Sequence, residues 1–375
     1  MQLSIINPLN YPGWDELLLS HPNCSIFHSS NWARVLHDVY GYKPQYFAEI
    51  HDGKLLSLIP CMEVNSIITG RRGGSLPFTD FCEPIISEKK STQDFIKEMI
   101  IYGKKSGWKS IEIRSGNSLP YEFPPSSFYY GHTLELSKDK TFMTQQAIED
   151  IENPSISPTL TMGGKGGLSD EKKIFSSFRD STKRNIKKAV KEGVETNIYT
   201  SVESVREFYR LNCLTRREHG LPPQPWSFFK KIHDHIISGN LGSVILASFH
   251  NKTIAGAVYF NLGDRAIYKY GASDKNYQHL RANNLVMWEA IKWYTKNGYK
   301  SFCFGRTEQE NKGLMQFKSG WGAKEHLIHY YKYDLIKEAF VRDTSKVKGL
   351  HNKIFKNMPI PLLKITGSLL YKHMG

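Results

Sequence analysis

The stretch FGRTEQENKGLMQFKSGWGAKE runs from Phe304 to Glu325. A strand-like SFCF run ends there in Gly305 and delivers Arg306 and Glu308 to its exit. Glu310, Lys312 and Lys318 follow, set among Gly313, Gly320 and Gly322. In open α/β sheets ligands sit outside the C-terminal edge of the strands. A charge at a strand exit is seldom needed for packing, which makes Arg306 a candidate to hold a negative group. Lys318 falls on a short helical turn with Met315 and Phe317. It either serves the same site or pairs with Glu308 or Glu310.

Other residues offer fewer signals. Tyr268 and Tyr270 alternate with Lys269, which predicts that the tyrosines share one strand face. One of them is a candidate proton donor to a leaving group; the other reading is core packing. Asp80, in LPFTDF, either lines a cleft or caps a turn. In STKRNIKKAVKEGV, Ser181 is the expected N-cap of a helix reaching about Glu192, with Gly193 beyond its end. Lys183, Lys187 and Lys191 then share a face, Arg184 and Lys188 lie beside them, and Ile186 and Val190 form the buried side. That basic face either binds an anion or is simply solvated. Nothing in the chain orders a Ser-His-Asp set, G-x-S-x-G is absent, and no cluster has metal-ligand spacing. His233 and His235 point apart on their helix, and GGKGG lacks the spacing of a phosphate loop.

The elements that must position these residues occur twice. KKSGWKSIEI (104–113) resembles TKNGYKSFCF (295–304), and each follows a helix-like segment. The glycines Gly107 and Gly298 suit a helix C′ position, where φ is positive. Upstream, YFAEIHDGKLLSLIPCMEV (46–64) parallels VILASFHNKTIAGAVYFNL (244–262), each a hairpin with a polar turn. The order hairpin, more strand, helix, strand therefore recurs, and the chain reads as two copies of one α/β unit with mixed (α+β) sheets. The expected division is a first domain over 1–132 and a second over 133–335. A Ser/Pro/Gly-rich mobile insertion near 140–172 interrupts the second. A basic amphipathic tail, 336–375, packs on the first domain.

A length of 375 residues fits two domains. A 40% apolar fraction supports a real core and excludes global disorder. The net charge of +14 favours anionic partners. Five cysteines without a CxxC pair suit a reduced, cytoplasmic setting. The N-terminus does not read as a signal peptide, and no apolar run approaches a bilayer span.

The segments SIFHSSNWARVLHDVYGYKP, SLPFTDF, STKRNIKKAVKEGV, YKYGASD and FGRTEQENKGLMQFKSGWGAKE stand in an order and spacing that resembles FemABX-like proteins. The likeness is to the acetyltransferase-like branch associated with exopolysaccharide and cell-envelope biosynthesis. It implies tandem GNAT-like domains, in agreement with the repeat. It also implies transfer of an acyl or aminoacyl group to an amine on a cell-envelope or polysaccharide precursor. Two departures stand out. The family carries a Lys four residues beyond the Trp of its first motif, where Trp32 is followed here by Leu36. The loop YQHLRANNLVMWEA has no glycine for a CoA pyrophosphate.

Acyl transfer to an amine passes through an oxyanion, so an enzyme must align the amine, stabilise that charge and move a proton. The resemblance gives Lys318 the role of a cation near the reacting carbonyl. Arg306 and Tyr270 complete the candidate catalytic set. The resemblance gives Arg217 a contact with acceptor phosphates, with Arg216 as the alternative. Asp80, Tyr268 and Glu308 join them as substrate-binding candidates. Arg281, Asn283, Asn284, Arg184 and Lys188 are the donor-side candidates. No tightly bound cofactor and no metal are expected; acyl-CoA and aminoacyl-tRNA stay open as donors. The acceptor is expected to be an anionic small molecule, nucleotide-linked or lipid-linked. tRNA is a possible partner, and the tail is a candidate for peripheral contact with the inner membrane face. The competing readings are a nucleic-acid-binding protein and a non-catalytic envelope-assembly protein on the same fold.

Overall fold

A computed structural model describes residues 3–86, 92–116, 119, 123–137, 167–342 and 351–375. The first half contains β1 (Ser4–Ile6), α1 (Trp14–Leu19), α2 (Ser30–Tyr40), β2 (Lys43–Pro44), β3 (Tyr46–His51) and β4 (Lys54–Ile59). It continues through β5 (Met62–Ser66), β6 (Gly70–Ser75), α3 (Thr92–Lys105), β7 (Ser110–Ser115) and β8 (Ser127–Glu135). The second half opens with α4 (Gly167–Ser177), α5 (Asp180–Lys191), β9 (Glu195–Tyr199), α6 (Val202–Glu218) and α7 (Trp226–Ile232). Next come β10 (Gly242–Phe249), β11 (Lys252–Leu262), β12 (Arg265–Ser273), α8 (Ala282–Lys296), β13 (Ser301–Thr307), α9 (Lys312–Ser319), β14 (Lys324–Asp334) and β15 (Ala339–Phe340). Two helices close the chain, α10 (His351–Asn357) and α11 (Ile360–Met374).

Local chemistry explains many boundaries. The hairpin turns use Asp52 and Gly53 in one copy and His250 and Asn251 in the other, all with positive φ, as a tight primed turn requires. Gly107 (φ 68°) and Gly298 (φ 77°) end α3 and α8. The amide after each glycine bonds back five residues, Trp108 to Gly103 and Tyr299 to Tyr294, a Schellman closure. Ser29 caps α2 and Ser201 caps α6.

The repeat recurs as pairing. In each copy a hairpin precedes the long helix, and the strand after that helix runs parallel to the strand before it: β6 with β7, β12 with β13. The copies differ at one place. β11 is continuous, whereas its counterpart breaks at Pro60–Cys61 into β4 and β5, where proline has no N–H for a ladder. β1, β3 and β4 therefore form a separate three-stranded sheet.

The other strands join in one twelve-stranded sheet, ordered β2-β5-β6-β7-β14-β8-β13-β12-β11-β10-β9, with β15 on β14. The halves exchange their last strands. β8 pairs with β13 of the second half, and β14 pairs with β7 of the first. A boundary at residue 132 would thus cut through β8. Residues 140–166 of the expected insertion lie outside the described residues, but 167–172 are helical, as part of α4. One apolar core packs α2, α6 and α7 against the sheet, a second packs α5 and α8 on the opposite face, and a third lies under α3. The tail touches α6 of the second half as well as β5 of the first, so it bridges the halves rather than resting on one.

Candidate functional site

The pairing of β12 with β13 runs only from Arg265↔Ser301 to Ile267↔Cys303. Beyond it the strands part. β13 turns to β8 across a register shift between Cys303 and Arg306. Gly305 makes that shift possible with φ 68°, and a Cβ there would lie 3.2 Å from the Asp80 carboxyl. A second register shift, between Val258 and Tyr259 of β11, sets Lys269 between two pairs of the β11–β12 ladder. Tyr268 consequently packs on the α8 side and Tyr270 on the α6/α7 side. The strict alternation expected from sequence fails here: the tyrosines do not share a face.

Lys318 lies at the parting of the strands. It is buried, and its Nζ donates to the carbonyls of Gly305 (3.0 Å) and Arg306 (2.9 Å). Neither Glu308 nor Glu310 is its hydrogen-bond partner. Burial pushes its ammonium down to about 8, and Asp80 holds back part of the fall. Arg306 lays its guanidinium 4.3 Å from the ring centre of Tyr129 and donates to the Tyr330 hydroxyl at 2.8 Å. Glu308 sits 3.6 Å from it on the solvent side. Burial disfavours the Arg306 charge, but Tyr330, Tyr129 and Asp80 outweigh that and raise its pKa.

Asp80 is neither a lone cleft residue nor a turn cap. Its carboxylate takes a 2.9 Å bond from Lys269, and its backbone carbonyl accepts from Tyr330 at 2.6 Å. Burial opposes its ionisation, yet Lys269, Arg306 and Lys318 together hold the carboxyl below the usual range. Lys269 is only 4% exposed and is itself pulled down by burial. Behind them Arg114 bonds Glu112 at 2.7 Å and the Leu76 carbonyl at 3.0 Å. Sequence reasoning misses Lys269, Tyr330, Tyr129, Arg114 and Glu112 as site residues. The available signals are a lysine inside a buried strand and two charges, 112 and 114, on one face of β7. The Tyr270 hydroxyl is buried and has no hydrogen-bond partner among the described residues.

Beside this cluster is a cleft of about 280 Å³. Tyr268, Arg281, Asn283 and Asn284 line it, with Leu314 and Phe317 of α9 closing one wall. Arg306, Lys318 and Arg217 are not among its lining residues. Lys318 follows Phe317 directly but turns to the strand exit. Arg281 adopts φ 61° just before α8, the conformation a glycine would supply. Asn283 bonds Ser273 at 3.2 Å.

The remaining candidates lie elsewhere. Arg216 is spent on structure, bonding the Tyr371 hydroxyl (2.7 Å) and the Pro222 carbonyl. Arg217 is half-buried beside it. Leu36 is wholly buried. On α5 the cap position is Arg179 rather than Ser181, because the helix begins at Asp180. Its buried side is Thr182, Ile186 and Ala189; Val190 is exposed, since the helix packs on α8 through the 182–186–189 row. Lys183 is tied to the Ser176 carbonyl, whereas Arg184, Lys187, Lys188 and Lys191 face solvent. No group of three or more His, Cys, Asp or Glu residues that could hold a metal occurs among the described residues.

A family model described as an Acetyltransferase (GNAT) domain matches residues 176–319. The chain is 20% identical to the lipid II:glycine glycyltransferase of Staphylococcus haemolyticus, across 53% of this chain and 66% of that protein. It is 22% identical to the UDP-N-acetylmuramoylpentapeptide-lysine N(6)-alanyltransferase of Weissella viridescens, across 54% and 61%. The matched stretch thus spans under two thirds of either relative. Among solved structures, FemX aligns with a TM-score of 0.64 at 13% identity, covering 88% of this chain and 96% of FemX. A tandem GNAT protein from the clavulanic acid pathway aligns at 0.51 and 7% identity, covering 89% and 98%. These structures share the tandem GNAT fold of this chain.

Proposed function

We propose that this chain, a FemABX-like protein of the GNAT superfamily, is an acyltransferase acting on an amine of a cell-envelope precursor. The observation that carries the reading is the parting of β12 from β13 with the Lys318 ammonium between them. The free edge of β12 beyond Ile267 can bond the amides of an acyl-CoA arm or the amino group of an aminoacyl donor, and the neighbouring cleft leads to the start of α8. Helix N-termini favour phosphate, so the donor's phosphates fit near Arg281 and Asn283.

In the reaction a C–N bond forms between the acceptor amine and the acyl carbon. The ester or thioester bond to the donor breaks. Two of the three Lys318 N–H bonds are committed to carbonyls. The third is left for the oxyanion, in a buried setting where one such hydrogen bond counts for most. Tyr270, with its unpartnered hydroxyl, is the candidate to protonate the leaving oxygen or sulfur. The amine's proton passes to the Tyr270 oxygen as the product amide forms, so the proton given to the leaving group is replaced. Arg217 is the remaining cation of its pair for the acceptor's phosphates, because Arg216 is occupied and Leu36 offers no charge.

The test is incubation with labelled acyl-CoA or aminoacyl-tRNA, plus nucleotide-linked and lipid-linked muramyl-peptide acceptors, read by mass spectrometry. An acceptor gaining one acyl mass, lost in Lys318→Met, is expected. No mass gain with either donor on any acceptor would overturn the reading.

A further inference from the structure

We propose that α11 and the β5–β6 turn together form a docking surface for an anionic lipid bilayer. The inner face of α11 is satisfied by the protein. Leu363, Gly367 and Tyr371 are buried, and Gly367 lets the Pro223 carbonyl approach where a side chain would clash. The outer face is not. Leu362, Ile365 and Leu369, spaced i, i+3 and i+7, form one apolar row, and each is more than half exposed.

A second apolar point stands beside it. The turn between β5 and β6 carries Ile67 and Ile68 at its tip, 94% and 65% exposed. This turn is tied to the end of α11. Ser66 bonds the His373 ring at 3.0 Å, the Thr69 hydroxyl donates to the His373 carbonyl, and Arg72 donates to the carbonyls of His373 and Gly375. Two exposed isoleucines at a tight turn serve neither the core nor the turn, whose chemistry asks for polar residues.

Charge selects the occupant. Residues 351–375 contain Lys353, Lys356, Lys364 and Lys372 and no Asp or Glu. Residues 64–79 contain Arg71 and Arg72 and again no acid. A second copy on this surface would set like charge against like. An anionic bilayer supplies the opposite charge and accepts apolar points without a matching groove. No described helix is long and apolar enough to cross a membrane, so the docking is interfacial.

Co-sedimentation of the full chain with vesicles tests this, using phosphatidylcholine alone or mixed with phosphatidylglycerol. The vesicles contain no acceptor and no donor is added, so the outcome is independent of the transfer reaction. Binding to the mixed vesicles, weakened by salt and negligible on phosphatidylcholine alone, is expected. Ile67→Ser/Ile68→Ser and, separately, Ile365→Ser/Leu369→Ser should each reduce partitioning roughly tenfold or more with an unchanged thermal midpoint. Absence of binding to the anionic vesicles, or unchanged binding by both variants, would overturn the proposal. So would a concentration-dependent dimer dispersed by the same substitutions, which would assign the surface to self-association.

Discussion

With its ammonium pushed down to about 8, Lys318 titrates where turnover can report it. If its cation stabilises an oxyanion, the active form is the protonated one, present below that value and lost as pH rises through it. Turnover should therefore fall above about pH 8, and Lys318→Arg should remove that falling limb by keeping the cation charged. Lys318→Met should lose roughly 100- to 1000-fold in rate. Because Nζ also joins two strand-exit carbonyls, Lys318→Met should cost about 1–3 kcal/mol of stability as well. An unaltered pH profile in the Arg variant would take Lys318 out of the chemistry. Asp80 carries the second prediction at this scale. Its carboxyl is held low, so its contribution is present above the unfolded carboxyl range and is lost as pH falls through its lower folded value. Asp80→Asn leaves Lys269 buried and unpaired and should cost about 3–5 kcal/mol in urea unfolding. Adding Lys269→Met should recover part of that. Equal stability of wild type and Asp80→Asn would contradict the pairing.

The helix α5 shows how element geometry narrows a sequence pattern. Periodicity predicts a basic face over 183, 187 and 191, but Lys183 is engaged with Ser176. The solvent-facing set is Arg184, Lys187, Lys188 and Lys191. If this face holds a polyanionic donor, the triple change Arg184→Glu, Lys187→Glu, Lys188→Glu should weaken donor binding. The log–log salt slope should flatten by roughly 0.7–0.9 for each phosphate that the variant leaves unneutralised. An acyl-CoA donor, with few phosphates, should start from a shallow slope; aminoacyl-tRNA should start steep. Fluorescence titration of each donor against salt measures both. Identical curves for wild type and variant would make α5 a solvated face.

At the scale of the molecule, the exchanged strands join the two halves. Without β8, the second half would expose the edges of β13 and β14 that it covers. Unpaired edges aggregate. The protein should unfold in one transition, with far-UV circular dichroism and tryptophan fluorescence coinciding. Residues 167–375 expressed alone should be insoluble, and co-expression with residues 1–137 should restore solubility. Two separated transitions, or a soluble monomeric second half, would show that the halves are independent.

The sequence by itself determined the local plan: the two hairpin turns, the glycines ending α3 and α8, and the repeated order of elements. Those features are encoded by residues a few positions apart, through φ preference and hydrogen bonds that the segment makes with itself. It also marked Arg306 as a charge with no packing purpose, and left Lys318 between a site role and an ion pair and Asp80 between a cleft and a turn cap. Only the tertiary structure decided that β8 and β14 change places, that a register shift turns Tyr268 from Tyr270, and that Asp80 finds Lys269. The strand exchange and the Asp80–Lys269 pair depend on partners far along the chain, 189 positions away for Asp80 and Lys269, and the register shift depends on how β11 pairs with β12 rather than on any period within β12. Strand pairing is settled by which edges meet when the two halves join in one sheet, and no local period records that.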